Sequence, residues 1–224
     1  MKVVWLGQAG LLLDFSGIKV MVDPYLSNSV EKINPRNYRR QPIDAHFFEI
    51  KPDILVLTHN HLDHTDPETL DIIFSKHENI CVLASGNAWQ VARKHGATHN
   101  YVLFNRGTVW TEKGITFKAV YAEHSDTNAI GVILSHGDKT YYIAGDTLYN
   151  EKVINDIGTK PDIAFVPING VGNNMNMHDA ETFSKKIGAK LVVPIHWGMF
   201  DEINPNDFHV NNKVIPTIYE EIVI

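Results

Sequence analysis

Four potential metal ligands fall within the short run His59-Asn60-His61-Leu62-Asp63-His64, one residue after the apolar stretch Asp53-Ile54-Leu55-Val56-Leu57. Neutral imidazoles and a carboxylate suit zinc, manganese or iron(II). Burying such groups unpaired is unfavourable, whereas a cation can hold several of them together at the mouth of a buried strand. A solvated His-rich turn is the competing reading. It is weakened because partners recur downstream, each at the end of an apolar run: His124 in Ala122-Glu123-His124-Ser125, Asp146 in Ala144-Gly145-Asp146-Thr147, and His196 in Val193-Pro194-Ile195-His196-Trp197-Gly198. Residues two apart in an extended segment face the same way. His59 and His61 can therefore chelate one ion while Asp63 and His64, at the turn that follows, face a second.

The ordered set, H-x-H-x-D-H followed by a His, an Asp and a final His, resembles the signature of the metallo-β-lactamase superfamily over nearly the whole chain. The resemblance implies two divalent cations, manganese or zinc with iron as a further option. His59, His61 and His124 would hold the first, Asp63, His64 and His196 the second, and Asp146 would bridge them. Two cations a few ångströms apart acidify a shared water toward hydroxide, and one can polarise a carbonyl or phosphoryl oxygen. Hydrolysis by a metal-bridged hydroxide is the implied reaction, with Asp63 and Asp146 as its catalytic carboxylates and Asp63 also placed to take a proton. Gly145 would let the backbone bring Asp146 close to the ions. Redox diiron members of the superfamily carry Glu where this chain has His61, and the thiolate ligand of some β-lactamases has no counterpart here. Asp23, in Met21-Val22-Asp23-Pro24, is either a carboxylate orienting a ligand histidine from behind or a turn-forming Asp before proline.

The stretch from Pro24 to about Glu49 reads as a long irregular loop, and its Asn34-Pro35-Arg36-Asn37-Tyr38-Arg39-Arg40 is the densest positive charge in the chain. Arginine forks recognise phosphate or carboxylate. Arg36, Tyr38, Arg39 and Arg40 are thus candidates to clamp an anionic substrate, with a solvated basic loop as the alternative. In Gly170 to His178, the residues Asn174, Asn176 and His178 suit a hydroxyl-rich ligand or, more plainly, a loop that caps a helix. Tyr149 and Trp197 could border a ligand or simply pack. The Asn-Tyr-Arg-Arg and Asn-Met-Asn segments resemble the L-ascorbate-6-phosphate lactonase-like branch of the superfamily. That likeness implies opening of a small anionic or phosphorylated sugar-acid lactone or related ester. A metal-dependent phosphodiesterase or RNase-like hydrolase and a non-catalytic metal-binding protein are the other readings.

The elements needed to position these residues are legible as alternating strands and helices. Strands are predicted at Val3 to Leu6, Leu11 to Phe15, Ile18 to Val22, Ile80 to Ala84, Val102 to Phe104, Gly114 to Ala122, Ala129 to Leu134, Thr140 to Ala144, Ile163 to Val166 and Leu191 to Ile195. Helices are expected from Pro67 to about Lys76 with Asp66 as N-cap, over Ala88 to His95, near Asn150 to Ile157, and over Ala180 to Ile187. An α/β architecture follows, and the resemblance sharpens it to a four-layer αββα sandwich. With 224 residues and 44% apolar content, one domain spanning residues 1–224 is expected.

The net charge of −6, with both signs interspersed, argues against a nucleic-acid partner and leaves a small molecule as the expected one. No apolar run approaches the roughly 20 residues of a membrane span, and the opening segment is strand-like, so a cytoplasmic protein is expected. A homo-oligomer is compatible with the sequence. The single cysteine, Cys81, lies in an apolar strand and reads as core. His46, His77, His95, His99, His136 and His209 lack ligand-like spacing and read as surface or turn residues.

Overall fold

A computed structural model describes residues 1–96 and 98–224. In the first sheet, β1 (Lys2–Gly7), β2 (Gly10–Phe15) and β3 (Ile18–Val22) form an antiparallel meander, which β4 (Ile54–Leu57), β5 (Cys81–Ala84) and β6 (Asn100–Leu103) extend in parallel. The second sheet repeats the plan. Antiparallel β7 (Val109–Glu112), β8 (Ile115–Tyr121), β9 (Ile130–His136) and β10 (Lys139–Ile143) are followed by parallel β11 (Ile163–Pro167) and β12 (Leu191–Ile195).

Parallel neighbours need crossovers, and helices supply them. The helix α1 (Ser29–Ile33) lies in the β3–β4 connection, α2 (Pro67–Lys76) and α3 (Gly86–Ala92) follow β4 and β5, and α4 (Glu151–Ile157) and α5 (Met177–Ile187) join the last three strands. The strand β4 shows how burial follows from this. Ile54 and Val56 point into the core between the sheets, Leu55 and Leu57 into the core under α2 and α3, and all four are buried. That two-sided burial explains its unbroken apolar run. A third core, including Val153, Phe183 and Ile187, packs α4 and α5 on the outer face of the second sheet. The result is the four-layer αββα order.

Most predicted elements stand where the patterning places them, including α2 with its Asp66 cap. Three differ. The stretch from Pro24 to Glu49 is not irregular throughout, since it carries α1 and a 3-10 turn, Ala45–Glu49, whose Phe47 and Phe48 plug the outer core. The edge strand β7 escaped the reading because its Val109 and Thr111 face solvent and only four residues pair. The helix α3 starts at Gly86 and ends at Ala92, short of His95.

The chain after β3, β4, β8, β10 and β12 emerges at a common edge of the sandwich. Strands β8 and β10 share a direction because both run antiparallel to β9, and the remaining pairs are parallel. Carboxyl ends of strands are the ordinary place for a site in such sheets. The start of α2 is pinned there by Asp66, which is fully buried and accepts from the backbone of Glu68 and Thr69 and from the Thr69 hydroxyl. Thr69 Oγ1 in turn accepts from Leu26 N, tying the β3 exit to the helix. Asp66→Ala is expected to destabilise the metal-free protein by about 1–2 kcal/mol, read as a lower urea midpoint at unchanged slope.

Candidate metal centre

The seven residues singled out as ligands come together. His59, His61, His124 and Asp146 form one group whose candidate ligand atoms all lie within 4.8 Å of one another, and Asp63, His64 and His196 form a second. A third grouping, Asp23, His59 and His64, adds the carboxylate at the end of β3. Asp146 reaches both sides of the cluster. Its Oδ1 lies 3.1 Å from His64 Nε2 and 3.2 Å from His196 Nε2, and its Oδ2 lies 3.9 Å from His59 Nε2.

Each imidazole is aimed by a partner on its outer nitrogen. Thr58 gives its backbone N–H and its hydroxyl to Asp23, at 2.8 and 2.5 Å, so the hydroxyl oxygen is free to accept from His59 Nδ1 at 3.1 Å. The other nitrogen, Nε2, then carries a lone pair toward the cluster. Asp23 Oδ2 also takes the Nδ1 proton of His64 at 2.8 Å, which makes Asp23 the orienting carboxylate rather than a turn residue alone. His124 donates from Nδ1 to the carbonyl of Asn173 at 3.2 Å, and Ser125 Oγ stands 3.4 Å from His61 Nε2. With the outer atoms engaged, the inner ones face each other: His61 Nδ1 and His124 Nε2 are 3.1 Å apart, His64 Nε2 and His196 Nε2 3.3 Å.

Backbone conformation contributes as well. Gly145 has φ +60°, and a Cβ there would stand 3.0 Å from the carbonyl oxygen of Ile130 and 3.1 Å from Thr58. Only glycine lets Asp146 approach the β4 exit this closely. Gln8, Asp23 and His196 also take positive φ, at +47°, +41° and +61°. Each such non-glycine residue costs on the order of 1–2 kcal/mol, which the surrounding packing must offset.

The charges are balanced inside the cluster. Burial opposes a charge on His64 and on His196, but Asp146 and Asp63 outweigh it and raise both, His196 to about 9. Burial likewise opposes ionisation of Asp146 and Asp63, and His196 and His64 hold both carboxyls below the usual range. His59 and His124 are pushed down by burial, so both are neutral at pH 7. Two inner atoms, His59 Nε2 and Asp146 Oδ1, are buried without any hydrogen-bond partner, the short contacts of Asp146 lacking hydrogen-bond geometry. The lone pair of His59 Nε2 and the carboxylates of Asp146 and Asp63 converge there, a donor set that suits a cation able to displace the protons on His64 and His196. The clusters are able to hold metal.

A cavity of about 390 Å³ opens over the cluster, with His61, Asp63, Asp146 and His196 as its floor. Its walls are Val30, Asn37, Asn169, Val171, Gly172 and Phe200. None of the nine proposed substrate contacts is among them. Arg39 donates to the carbonyl of Tyr25 at 2.8 Å and to the Tyr219 hydroxyl at 2.7 Å, so its guanidinium fastens the loop to the body of the protein. Arg40 lies over the Tyr38 ring, and Arg36 and Tyr38 are exposed outside the cavity lining. Asn176 caps α5 by accepting from Asp179 N, Asn174 accepts from Thr147 N, and His178 projects into solvent. Tyr149 donates to Glu151 under Lys186, and Trp197 donates to the Pro194 carbonyl and packs on Trp5. Gln8, whose amide donates to Asp63 Oδ2 at 2.9 Å, was missed, as were the wall residues. Among the wall residues, Asn37 sits inside the basic run, and Val171 and Gly172 sit inside the Gly170 to His178 segment, so the loops were marked though these residues were not.

A family model described as a beta-lactamase superfamily domain matches residues 2–196. The UPF0173 metal-dependent hydrolase of Thermoplasma acidophilum is 31% identical over 213 residues, covering 91% of this chain and 86% of the relative. Among solved structures, the metallo hydrolase Igni18 of Ignicoccus hospitalis is similar with a TM-score of 0.78 at 21% identity, over 99% of this chain and 97% of that one. The isothiocyanate hydrolase from Delia radicum gut bacteria also reaches 0.78, at 18% identity, over 100% and 99% of the two chains. Those two likenesses establish the fold. The family match and the Thermoplasma relative show that this chain belongs to the metallo-β-lactamase superfamily and, within it, to the UPF0173 family of metal-dependent hydrolases.

Proposed function

We propose that this metal-dependent hydrolase holds two divalent cations and opens a small lactone or related ester. The observation that carries this reading is the reach of Asp146, whose two oxygens face the two separate ligand groups. His59, His61 and His124 would hold one ion, Asp63, His64 and His196 the other, with Asp146 between them. Bound there, such ions supply Lewis acidity and make water a stronger acid.

The residues of the chain do the rest. Asp63 Oδ2 is held by Gln8, so this carboxylate faces the cavity in a fixed direction, placed to take a proton during turnover. The Asp23–His64 pair keeps one proton on Nδ1, away from the reacting centre. Asn37 and Asn169 offer amides to a carbonyl or hydroxyl, while Val30, Val171 and Phe200 give apolar walls that exclude water. Among the described residues, no Lys or Arg lines the cavity. Recognition of an anionic group on the substrate therefore falls to the cations and the two amides, not to the arginine run. The cavity volume suits a small molecule, and with the net charge of −6 it counts against an RNA-like polymer.

Metal analysis of the loaded protein should find two ions per chain, and a panel of sugar-acid and simple lactones should include a substrate. Cleavage of bis-p-nitrophenyl phosphate with no lactone opened would point to a phosphodiesterase, and bound metal without turnover on either panel to a binding protein. Arg39→Ala should lower the thermal midpoint and leave KM for the substrate so found unchanged, because its guanidinium bonds only to the protein's own oxygens; a raised KM would return the loop to the site.

Metal uptake should also depend on pH. His196 ionises near 9 when folded and near 6.5 when unfolded. The stabilisation it gives the metal-free protein is therefore full below pH 6.5 and lost as pH climbs through 9. A cation must displace that proton and the one on His64. Calorimetric zinc titrations in buffers of differing ionisation enthalpy should show proton release at pH 7 and an affinity that rises from pH 6 to 9. A pH-independent affinity would mean these imidazoles do not ligate.

A further inference from the structure

Gln8 sits in the turn between β1 and β2, 1% exposed and at φ +47°, a conformation that a non-glycine residue keeps only when firmly held. Its carbonyl accepts from the Trp5 indole N–H at 2.8 Å and from the backbone N–H of His196, also at 2.8 Å. Its side-chain amide donates to Asp63 Oδ2 at 2.9 Å, and the same nitrogen lies 3.5 Å from His196 Nδ1. His196 itself has φ +61°, so two left-handed residues brace each other across a bond, flanked by the rings of Trp5 and Trp197 at 4.9 Å.

We infer that Gln8 is a positioning residue of the second cation site, fixing the Asp63 carboxylate through its side chain and the backbone that carries the His196 imidazole through its main chain. The inference rests on the two-site reading above. The first ligand group has other supports: Thr58 behind His59, the Asn173 carbonyl behind His124, and Ser125 beside His61. Loss of the Gln8 amide should consequently be felt at one site and not at the other. A residue that merely stabilised the fold would affect both alike.

Zinc(II) titration of metal-free wild type and Gln8→Met, which keeps the volume and removes the donor, reads this directly. Two binding steps are expected in the wild type. In the variant the second should weaken roughly ten- to a hundredfold, as for other outer partners of metal ligands, with the first unchanged. Two steps that match the wild type, or that weaken together, would overturn the positioning role. A wild type that takes one zinc overturns the two-site reading, and this role with it. Circular dichroism of the metal-free variant checks that it folds. Where it does not, Trp5→Phe removes the indole donor to the Gln8 carbonyl and should weaken the same step alone, while an unchanged second step would refute the inference.

Discussion

A carboxylate that is almost fully buried at the seam between two sheets cannot stay ionised without compensating positive charge. Asp146 is that group, 3% exposed at the end of β10. The architecture around it meets this demand. His64 and His196 press against one of its oxygens and His59 stands across from the other. The outer nitrogens of His64 and His59 are anchored through Asp23 and Thr58, and the backbone of His196 is held by the carbonyl of Gln8. The strained backbone at residues 8, 23 and 196 and the missing side chain at Gly145 all serve the same crowding of polar atoms around one carboxylate.

The local motif could be read from the chain because spacing alone puts His59, His61, Asp63 and His64 on one short turn, and because His124, Asp146 and His196 each end an apolar run. Strand and helix patterning was similarly informative where burial imposes it, on both faces of β4 and on one face of α2. What surrounds the ligands was not legible. A glutamine announces nothing about ligation, and the importance of Gln8 depends on a turn brought beside Asp63 from 55 residues away. Arg39 misled for the converse reason: its type is the same whether it meets a substrate or the carbonyl of Tyr25. The apolar walls Val30, Val171 and Phe200 look like any other core-forming residues until the loops that carry them are placed.

The two sheets share a plan, hairpins first and crossovers after, and each contributes ligands from the exits of its strands. The first sheet supplies the compact His-rich turn and Asp23. The second supplies three single residues separated by long intervals. This asymmetry explains why one half of the site is conspicuous in the sequence and the other half consists of isolated letters that acquire meaning only through their order. It also separates two tasks physically, since the continuous turn can chelate by itself whereas the scattered residues arrive only with the completed second sheet.

Thr58, at the exit of the first sheet, takes the backbone N–H of Ile130, at the start of β9 in the second. An ion resting on His59 and Asp146 would thus act as a rivet through both leaves of the sandwich beside that bond. Whatever prises the leaves apart must first expel the ion, so the resistance of this protein to heat or proteolysis would rise and fall with the free metal around it.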